Sequence, residues 1–397
     1  MRFPWHIFLF LLFPAAALAQ YGTITGKVIN ADSKSPLARA SVFLSNSSVG
    51  TASQENGSFI LSGIRPGQYT LVVSLLGYEQ YEKTILVGPE TINLTIQIAQ
   101  KPLMLREVVI QSSADWKKNF EAFKKEFIGS NENAKYCTIL NPKVLNITYN
   151  PTKQILHADA DEFLIVENKA LGYRVKFLLN DFAQDKIAEI VSQKGQRIFE
   201  ELPGSEAQKK KWHEKREEAY HGSSMHFFRS LYTDKLTQDG FQIYQFTRTL
   251  NPQRPTDEEI RRKVRIFYDM QRPDSQKYYI DWSKVSKYSN ERLMQPPLNS
   301  WEVLISTGQP GVYGVHFRNY LYVVYTKKTD DTYDRDLYRP MNMSNYAVSI
   351  ITLGGPYALF DKNGIIVDGS PLFEGAWSRN RLSDMLPVDY VPDDVAH

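Results

Sequence analysis

The sequence predicts a mainly β chain in which an antiparallel β-sandwich precedes a larger α+β domain. Between residues 21 and 98, short runs of alternating apolar residues are separated by Gly, Pro and Asn turn signals, as in small sandwiches. Aromatic residues make up 13% of the chain, which favours strands. After residue 112, segments of helical periodicity alternate with further strands, which is typical of an α+β domain.

Residues 53–78 carry the densest pattern of the predicted sandwich. Asn56-Gly57 and Pro66-Gly67 are both strong turn signals, and alternating apolar residues follow each of them. This spacing predicts a hairpin turn at Asn56-Gly57 and two half-buried antiparallel strands on either side of Pro66-Gly67.

Several stretches carry a family resemblance. The opening GTITGKVIN, the central NGSFILSGIRPGQYTLVVSLLGYE and the closing strands resemble the carboxypeptidase regulatory-like domain, a transthyretin-type (prealbumin-like) sandwich. The resemblance covers about a fifth of the chain. It implies a non-catalytic module, found appended to secreted peptidases and at the front of TonB-dependent outer-membrane receptors in Bacteroidota-type bacteria. It therefore implies an envelope protein rather than a peptidase.

The first 20 residues have the pattern of a secretory signal peptide, with Arg2, an apolar run over residues 7–18 and small residues before the cleavage site at Ala19. A membrane anchor is the alternative, but the run is shorter than the roughly 20 residues of a spanning helix and Pro14 interrupts it. We expect an exported chain, periplasmic or associated with the outer membrane, with no transmembrane span after cleavage. The predicted parts are the signal peptide (1–19), the sandwich (20–100), a linker segment and helix (101–135) and the α+β domain (136–397).

Charge and cysteine content exclude several classes of protein. The net charge of +3 is spread along the chain and offers no basic stripe for phosphates, so no nucleic-acid partner is expected. Cys137 is the only cysteine, which excludes an intramolecular disulfide. It has no evident His or Asn partner, so we interpret it as a buried apolar residue rather than a nucleophile. No cofactor is expected.

Residues 103–110, LMLREVVI, are similar to the hydrophobic stretch that follows this module in the receptors, where it leads to the TonB-contacting box. An extended segment of this kind can add to the edge of a partner's sheet, which makes Glu107, Val108 and Val109 part of a possible partner surface. The alternative is a last strand or an interdomain linker.

Helical and strand patterns alternate in the second region. Aromatic residues spaced by four, three and four positions predict a helix over residues 114–129. Residues 136–201 have the pattern of a strand meander. Capping and turn signals predict three further helices and a late hairpin, at Ser205, Ser223 or Ser224, Thr256 and Asn363-Gly364.

Several groups of residues could either bind a metal ion or belong to an ordinary polar surface. Neither a His-x-x-Glu pair with a distant His nor a His-Glu-x-x-His helix of a zinc carboxypeptidase is present. The nearest approach, His213 to Glu217, lacks the second His and is interpreted as a solvated helix. His157, Asp159 and Asp161 alternate, so on a strand they would offer a nitrogen and two carboxylates to a cation, or form a polar sheet face.

Three further groups have two interpretations each. Histidine and serine lie close together in residues 221–224, but without a Gly-x-Ser-x-Gly elbow a helix stop and cap competes with a nucleophile. If exposed, Tyr320 and Tyr322 would stack on sugar rings or a partner protein; if buried, they would build a core. An acidic loop offers oxygen ligands for calcium or a solvated turn, at Asp330, Asp331, Asp334 and Asp336.

We therefore expect a non-catalytic cell-envelope protein whose two domains bind a protein or glycan partner. Stretches of residues 136–393 also resemble the region that accompanies the same module in uncharacterised Bacteroidota proteins, which implies this architecture and no activity. The alternative is an envelope hydrolase, acting on peptides or glycans, with the sandwich as an accessory module. The two hypotheses differ in whether the candidate catalytic residues converge, because catalysis needs them within hydrogen-bond reach of one another. These candidates are His157, Asp159, Asp161, His221 and His226.

Overall fold

The computed structural model describes residues 21–102, 112–332 and 337–393. Strands account for 41% of the described residues and helices for 24%, so the predicted mainly β class is confirmed. The predicted signal peptide and the possible partner segment at Glu107, Val108 and Val109 lie outside the described residues. None of the described helices is both long enough and apolar enough to span a bilayer.

The N-terminal sandwich has seven strands: β1 (Gly22–Asn30), β2 (Ser41–Leu44), β3 (Gly50–Ala52), β4 (Ser58–Ile64), β5 (Gly67–Ser74), β6 (Tyr81–Val87) and β7 (Thr91–Ile98). They form a three-stranded sheet of order β4-β1-β7 and a four-stranded sheet of order β3-β2-β5-β6. Alternation along the strands places Ile24, Val28, Leu71 and Val73 between the sheets, all 0% exposed. The predicted sandwich is therefore confirmed.

Two details of the sandwich prediction are wrong. β4 pairs with β1, and β5 with β2 and β6, so the strands on either side of Pro66-Gly67 lie in different sheets. The turn at Asn56-Gly57 likewise leads from one sheet to the other and closes no hairpin. Each strand carries its apolar residues on one face, and crossing between sheets allows both faces to meet in one core. The first and last strands, β1 and β7, pair in parallel.

A six-stranded sheet with one helix on its face follows: α1 (Ser113–Ile128), β8 (Cys137–Ile139), β9 (Leu145–Asn150), β10 (Ile155–Ala160), β11 (Leu164–Asn168), β12 (Tyr173–Asp185) and β13 (Ile190–Glu201). The aromatic face of α1 is confirmed, because Phe123 and Phe127 are 0% exposed and pack edge-on against Phe182 and Phe177. Cys137 lies in the same core, as predicted.

The meander prediction fails in this sheet. A break after Ala160 separates β10 from β11, and both pair along the same edge of the 13-residue strand β12, which pairs with β13 on its other edge. A long central strand provides two binding edges, so short strands dock end to end along one of them.

Seven helices and two sheets follow in the described residues. They comprise α2 (Glu206–Tyr220), α3 (Ser224–Tyr232), α4 (Leu236–Asp239), β14 (Phe241–Leu250), α5 (Asp257–Asp269), α6 (Pro273–Trp282), β15 (Tyr288–Leu293), α7 (Ser300–Val303), β16 (Leu304–Ser306), β17 (Val312–Val315), β18 (Tyr320–Thr329), β19 (Tyr346–Thr352), β20 (Ala358–Asp361), β21 (Ile366–Asp368), β22 (Leu372–Gly375) and α8 (Ala376–Arg379). The sheet orders are β15-β14-β18-β19-β22 and β16-β17-β20-β21. Ser205, Ser223 and Thr256 each accept a backbone hydrogen bond at a helix start, as predicted. The hairpin at Asn363-Gly364 is also confirmed, between β20 and β21.

Residues 380–393 hold these parts together. Val388 is 5% exposed and belongs to the sandwich core, and its amide donates to the carbonyl of Asn46 at 2.7 Å. Arg229 of α3 donates to the carbonyls of Val388 and Tyr390 at 2.9 and 3.1 Å. This C-terminal segment therefore connects the sandwich with the last two sheets and forms one wall of the cleft between them.

Candidate functional site

A cleft of about 990 Å³ lies between the six-stranded sheet, the C-terminal sheets and the loop before β3. Aromatic rings, hydroxyl and amide groups, three cationic side chains and three carboxylates line it, among them Asn46, Arg197, Tyr288, Tyr320, Trp377 and Arg381. A large, partly apolar cleft between structural units with a few polar groups is the usual form of a binding site.

Arg197 of β13 is held at the cleft wall by neutral groups. Its Nε donates to Oδ1 of Asn46 at 2.6 Å, and its guanidinium lies 4.9 Å from the ring centroid of Phe177. Within the part of the chain that the structure describes, no carboxylate lies within ion-pair distance of it. Burial without a counter-ion lowers the pKa of Arg197 to about 10. Its positive charge is therefore not neutralised by the protein.

Arg381 follows α8 and lines the same cleft. Burial lowers its pKa, and the carboxylate of Glu126 opposes this effect from beyond ion-pair distance. The guanidinium of Arg381 makes no hydrogen bond to any described residue. The acid nearby along the chain, Asp384, accepts hydrogen bonds from Asn131 and Asn133, and burial raises its pKa. Two cations thus face the cleft without a carboxylate partner.

Arg248, whose ion-pair partner Glu374 lines the cleft, shows the opposite arrangement. Its side chain is fully buried, its Nη1 donates to both carboxylate oxygens of Glu374 at 2.8 Å, and its Nε donates to Glu291 at 2.8 Å. The rings of Tyr288 and Tyr320 lie 4.3 and 5.3 Å from the guanidinium. Glu374 and both tyrosines line the cleft, so the arginine at this end is already paired with protein carboxylates.

The interpretation of Tyr320 and Tyr322 as a shared partner surface is wrong for Tyr322. Tyr322 is 0% exposed, and its hydroxyl donates to the carbonyl of Tyr338 at 2.8 Å. The segment after residue 337 covers the sheet face that both tyrosines share, so Tyr322 builds a core. Tyr320 is half-buried and reaches the cleft.

A second cavity, of about 610 Å³, brings two of the predicted candidates together. His221 and His226 line it with Glu217, Asp239 and Tyr325. The two imidazole centroids lie 5.2 Å apart, because the helix stop at Gly222 turns the chain back between α2 and α3.

The hydrogen bonds of His226 leave it no free basic nitrogen. The Gly222 amide donates to its Nδ1 at 3.1 Å, so the neutral ring carries its proton on Nε2, which lies 3.8 Å from Oδ2 of Asp239. Burial lowers the pKa of His226 to about 4. His221 directs its Nε2 to Glu217 at 3.2 Å. The described residues that line this cavity include no Ser, Thr or Cys, so the arrangement offers no hydroxyl or thiol of the kind that a Ser–His or Cys–His pair activates.

Comparison with known proteins identifies the first domain. Residues 24–110 match the family model of the CarboxypepD_reg-like domain. The N-terminal domain is a carboxypeptidase regulatory-like β-sandwich. No curated protein is significantly similar to this chain.

Solved structures share parts of the fold at low similarity. They include the pilus 2b backbone protein of group B streptococcus (19% identity, 20% of this chain and 42% of that chain, TM-score 0.19). The minor pilin of Streptococcus agalactiae (19%, 23% and 48%, 0.18) and 3-chlorocatechol 1,2-dioxygenase of Rhodococcus opacus 1CP (12%, 21% and 61%, 0.17) also match. This chain therefore spans between 42% and 61% of the length of these three structures. At such TM-scores the matches carry no functional argument.

The remaining candidates lie away from both cavities. His157 and Asp159 are on β10, but Asp161 falls in the break after it. His157 faces Asp181 at 4.0 Å, Asp159 accepts from Asn146, and Asp161 pairs with Lys101 at 3.1 Å. The ligand atoms of these three residues do not converge among the described residues, so the cation interpretation is wrong and the polar sheet face is favoured. They also do not join His221 and His226.

The acidic loop is only partly described by the structure, since Asp334 and Asp336 lie outside the described residues. Asp330 pairs with Arg379 and lies 3.9 Å from Arg339. Its carboxylate is therefore part of a protein ion-pair network, which is a structural rather than a calcium-binding role.

Sequence reasoning missed the residues that give the cleft its charge. Arg197 lies in a polar, alternating strand and Arg381 in a loop, and neither has a local signature. The carboxypeptidase regulatory-like sandwich contributes Asn46, the hydrogen-bond partner of Arg197, from 151 residues earlier in the chain. Only the packing of the sandwich against β13 brings the two together.

Proposed function

We propose that this chain is an exported, non-catalytic protein of the cell envelope that binds an acidic glycan in the cleft beside Arg197 and Arg381. The observation that carries the proposal is the pair of cleft-facing guanidinium groups without a carboxylate partner. A buried charge without a counter-ion is costly, so an anionic ligand gains affinity by neutralising it.

The other groups of the cleft favour a sugar as the body of the ligand. Half-buried rings such as Tyr288 and Tyr320 offer flat faces for a pyranose, and Ser378 and Asn380 add hydroxyl and amide partners for its hydroxyl groups. A uronic acid or sulfated sugar combines these features with the negative charge that the arginines require. Location in the envelope rests on the predicted signal peptide and on the resemblance of the first domain.

Calorimetric titration of trigalacturonic acid into the exported chain tests this proposal. We expect saturable binding, no binding of the neutral maltotriose, and at least a tenfold weaker Kd for Arg381→Gln. The matched control is Arg39→Gln, whose side chain is 87% exposed on the sandwich and should leave Kd unchanged. Equal binding by wild type and Arg381→Gln would overturn the role of the cleft. Binding of a hexaglutamate peptide instead of the sugar would overturn the glycan and favour a protein partner.

The convergence of His221 and His226 favours one second candidate, an envelope hydrolase with the sandwich as accessory module. Against it stand the engaged nitrogens of His226 and the absence of Ser, Thr and Cys from the described residues that line this cavity. Assays of peptide-bond and glycosidic-bond hydrolysis with wild type and His221→Gln distinguish the two. Turnover that disappears in His221→Gln would establish the hydrolase; equal background rates in both proteins would exclude this pocket as its active site.

A further inference from the structure

We infer that His213, Glu217 and Asp393 form a binding site for a divalent transition-metal ion that ties the C-terminal segment to α2. One ligand atom from each of these side chains lies within 4.8 Å of the other two. Among the described residues, no other group of three or more metal-ligating side chains brings its ligand atoms this close together. The site is separate from the arginines of the cleft and does not depend on the proposed function.

Helix α2 places the first two ligands. His213 and Glu217 are four residues apart, so their side chains lie one turn apart on the same face. The neighbouring Trp212 is 5% exposed, and its Nε1 donates to the carbonyl of Lys169 at 2.9 Å. This contact fixes the rotation of the helix about its axis, so the face that carries His213 and Glu217 is turned toward the C-terminal segment.

The C-terminal segment supplies the third ligand from an anchored position. Both carboxylate oxygens of Asp393 lie 3.0 Å from Nε2 of His213. Val388 is buried in the sandwich core five residues earlier, and Arg229 holds the carbonyls of Val388 and Tyr390. Asp393 is therefore presented to His213 by a segment that has its own contacts.

Glu217 is oriented by two donors, as carboxylate ligands in metal sites commonly are. The hydroxyl of Tyr390 donates to its Oε1, and Nε2 of His221 lies 3.2 Å from its Oε2. Each carboxylate oxygen has two lone pairs, so these hydrogen bonds leave capacity for a metal bond. The nearby cation Arg216 is paired with Glu201 and does not compete for Glu217.

The donor set selects the class of ion. One imidazole nitrogen and two carboxylates neutralise a divalent cation and suit Zn²⁺, with water completing the coordination. Mg²⁺ and Ca²⁺ prefer oxygen ligands alone. Metal bonds of about 2.0–2.2 Å place ligand atoms roughly 3.3 Å apart, so the group must contract by about 1.5 Å at most. His213 and Asp393 are 43% and 73% exposed and can rotate to do this.

The test is calorimetric titration of Zn²⁺ and, separately, Mg²⁺ into the full exported chain after removal of metal by chelator. We expect one Zn²⁺ per chain and no comparable binding of Mg²⁺. His213→Ala and Asp393→Asn should each weaken Zn²⁺ binding at least tenfold. The matched control is His157→Ala, another exposed histidine beside a carboxylate, which should bind Zn²⁺ as wild type does.

A second measurement tests whether a bound ion links the C-terminal segment to α2 and so stabilises the fold. Zn²⁺ should raise the Tm of wild type and of His157→Ala but leave that of His213→Ala unchanged, because only a bound ion stabilises the native state. Zn²⁺ binding that is equal in wild type, His213→Ala and Asp393→Asn would overturn the site. Absence of Zn²⁺ binding to the wild-type chain would overturn it as well.

Discussion

The backbone amide of Gly222 donates a hydrogen bond to Nδ1 of His226 at 3.1 Å, and this contact fixes which nitrogen of the buried imidazole carries the proton. The proton on Nε2 then faces Asp239, whose Oδ2 also accepts from the hydroxyl of Ser230 at 2.6 Å. His226 is therefore held neutral as a structural donor and acceptor between two helices. This role accounts for its position in a cavity better than catalysis does.

The neutral His226 predicts a loss of stability in acid. Its pKa is lowered from 6.5 to about 4 by burial, so the unfolded chain takes up a proton before the folded chain does. The stabilisation is complete above pH 6.5 and is lost as pH falls from 6.5 toward 4. We expect the free energy of unfolding to fall by about 2 kcal/mol between pH 7.5 and pH 5 from this group alone.

Urea unfolding of wild type and His226→Gln at both pH values measures this contribution. The variant should lose less stability on acidification, although it starts from a lower value. Asp361 and Asp384, whose pKa burial raises, are common to both proteins and cancel in the comparison. His157→Gln, at an exposed site, should keep the wild-type slope. Identical slopes for wild type and His226→Gln would contradict a neutral buried imidazole.

The ion pair between Arg248 and Glu374 predicts a large cost when one partner is removed. The Arg248 side chain is 0% exposed, so Arg248→Ala leaves Glu291 and Glu374 facing each other without their cation. We expect the free energy of unfolding to fall by about 3–5 kcal/mol in denaturant titrations. Lys284→Ala, which removes the exposed partner of Asp281, should leave stability within error. A small effect of Arg248→Ala would mean that the pair is open to solvent.

Replacing Gly222 with alanine should destabilise the fold through a steric clash in addition to backbone strain. The same replacement at Gly77 measures the cost of backbone strain alone. The φ of Gly222 is +82°, and a Cβ there would lie 2.5 Å from Cδ1 of Tyr325. Gly77 has nearly the same φ, +83°, with nothing within 4 Å of the added atom. We expect Gly77→Ala to cost about 1 kcal/mol and Gly222→Ala about 3 kcal/mol in chemical unfolding. Equal costs would show that Tyr325 moves aside freely.

Val388 predicts that the C-terminal segment contributes to the stability of the sandwich. Val388→Ala removes buried methyl groups from the sandwich core and should cost about 2 kcal/mol. The same change should speed proteolytic removal of residues after 388, because the segment loses its anchor. Val367→Ala, at a residue 40% exposed, is the control and should change neither quantity. Unchanged proteolysis in Val388→Ala would place the anchor elsewhere, at Arg229.

Predictions from the sequence were most accurate where a signal is local. The aromatic spacing of four, three and four correctly marked α1, because helical periodicity depends only on residues within a few turns. N-cap chemistry located the starts of α2, α3 and α5, because a side-chain oxygen three residues before a free amide is sufficient to cap it.

The pairing between strands was predicted less accurately from the sequence. The turn at Asn56-Gly57 was correctly recognised as a turn, yet it leads across the sandwich rather than into a hairpin. The break after Ala160 interrupts an alternation that continues in the sequence. Alternation reports that a strand has two different faces, but it carries no information on which neighbour supplies its hydrogen bonds.

Local periodicity, turn residues and capping side chains were sufficient to establish the mainly β class, the N-terminal sandwich and the starts of α1, α2, α3 and α5, because these depend on interactions within a few residues. The candidate sites depend on packing between distant segments. Asn46 meets Arg197 across 151 residues, and Asp393 meets His213 across 180 residues. Such contacts form when separate cores dock, and neither partner shows in its own neighbourhood that the other will be there.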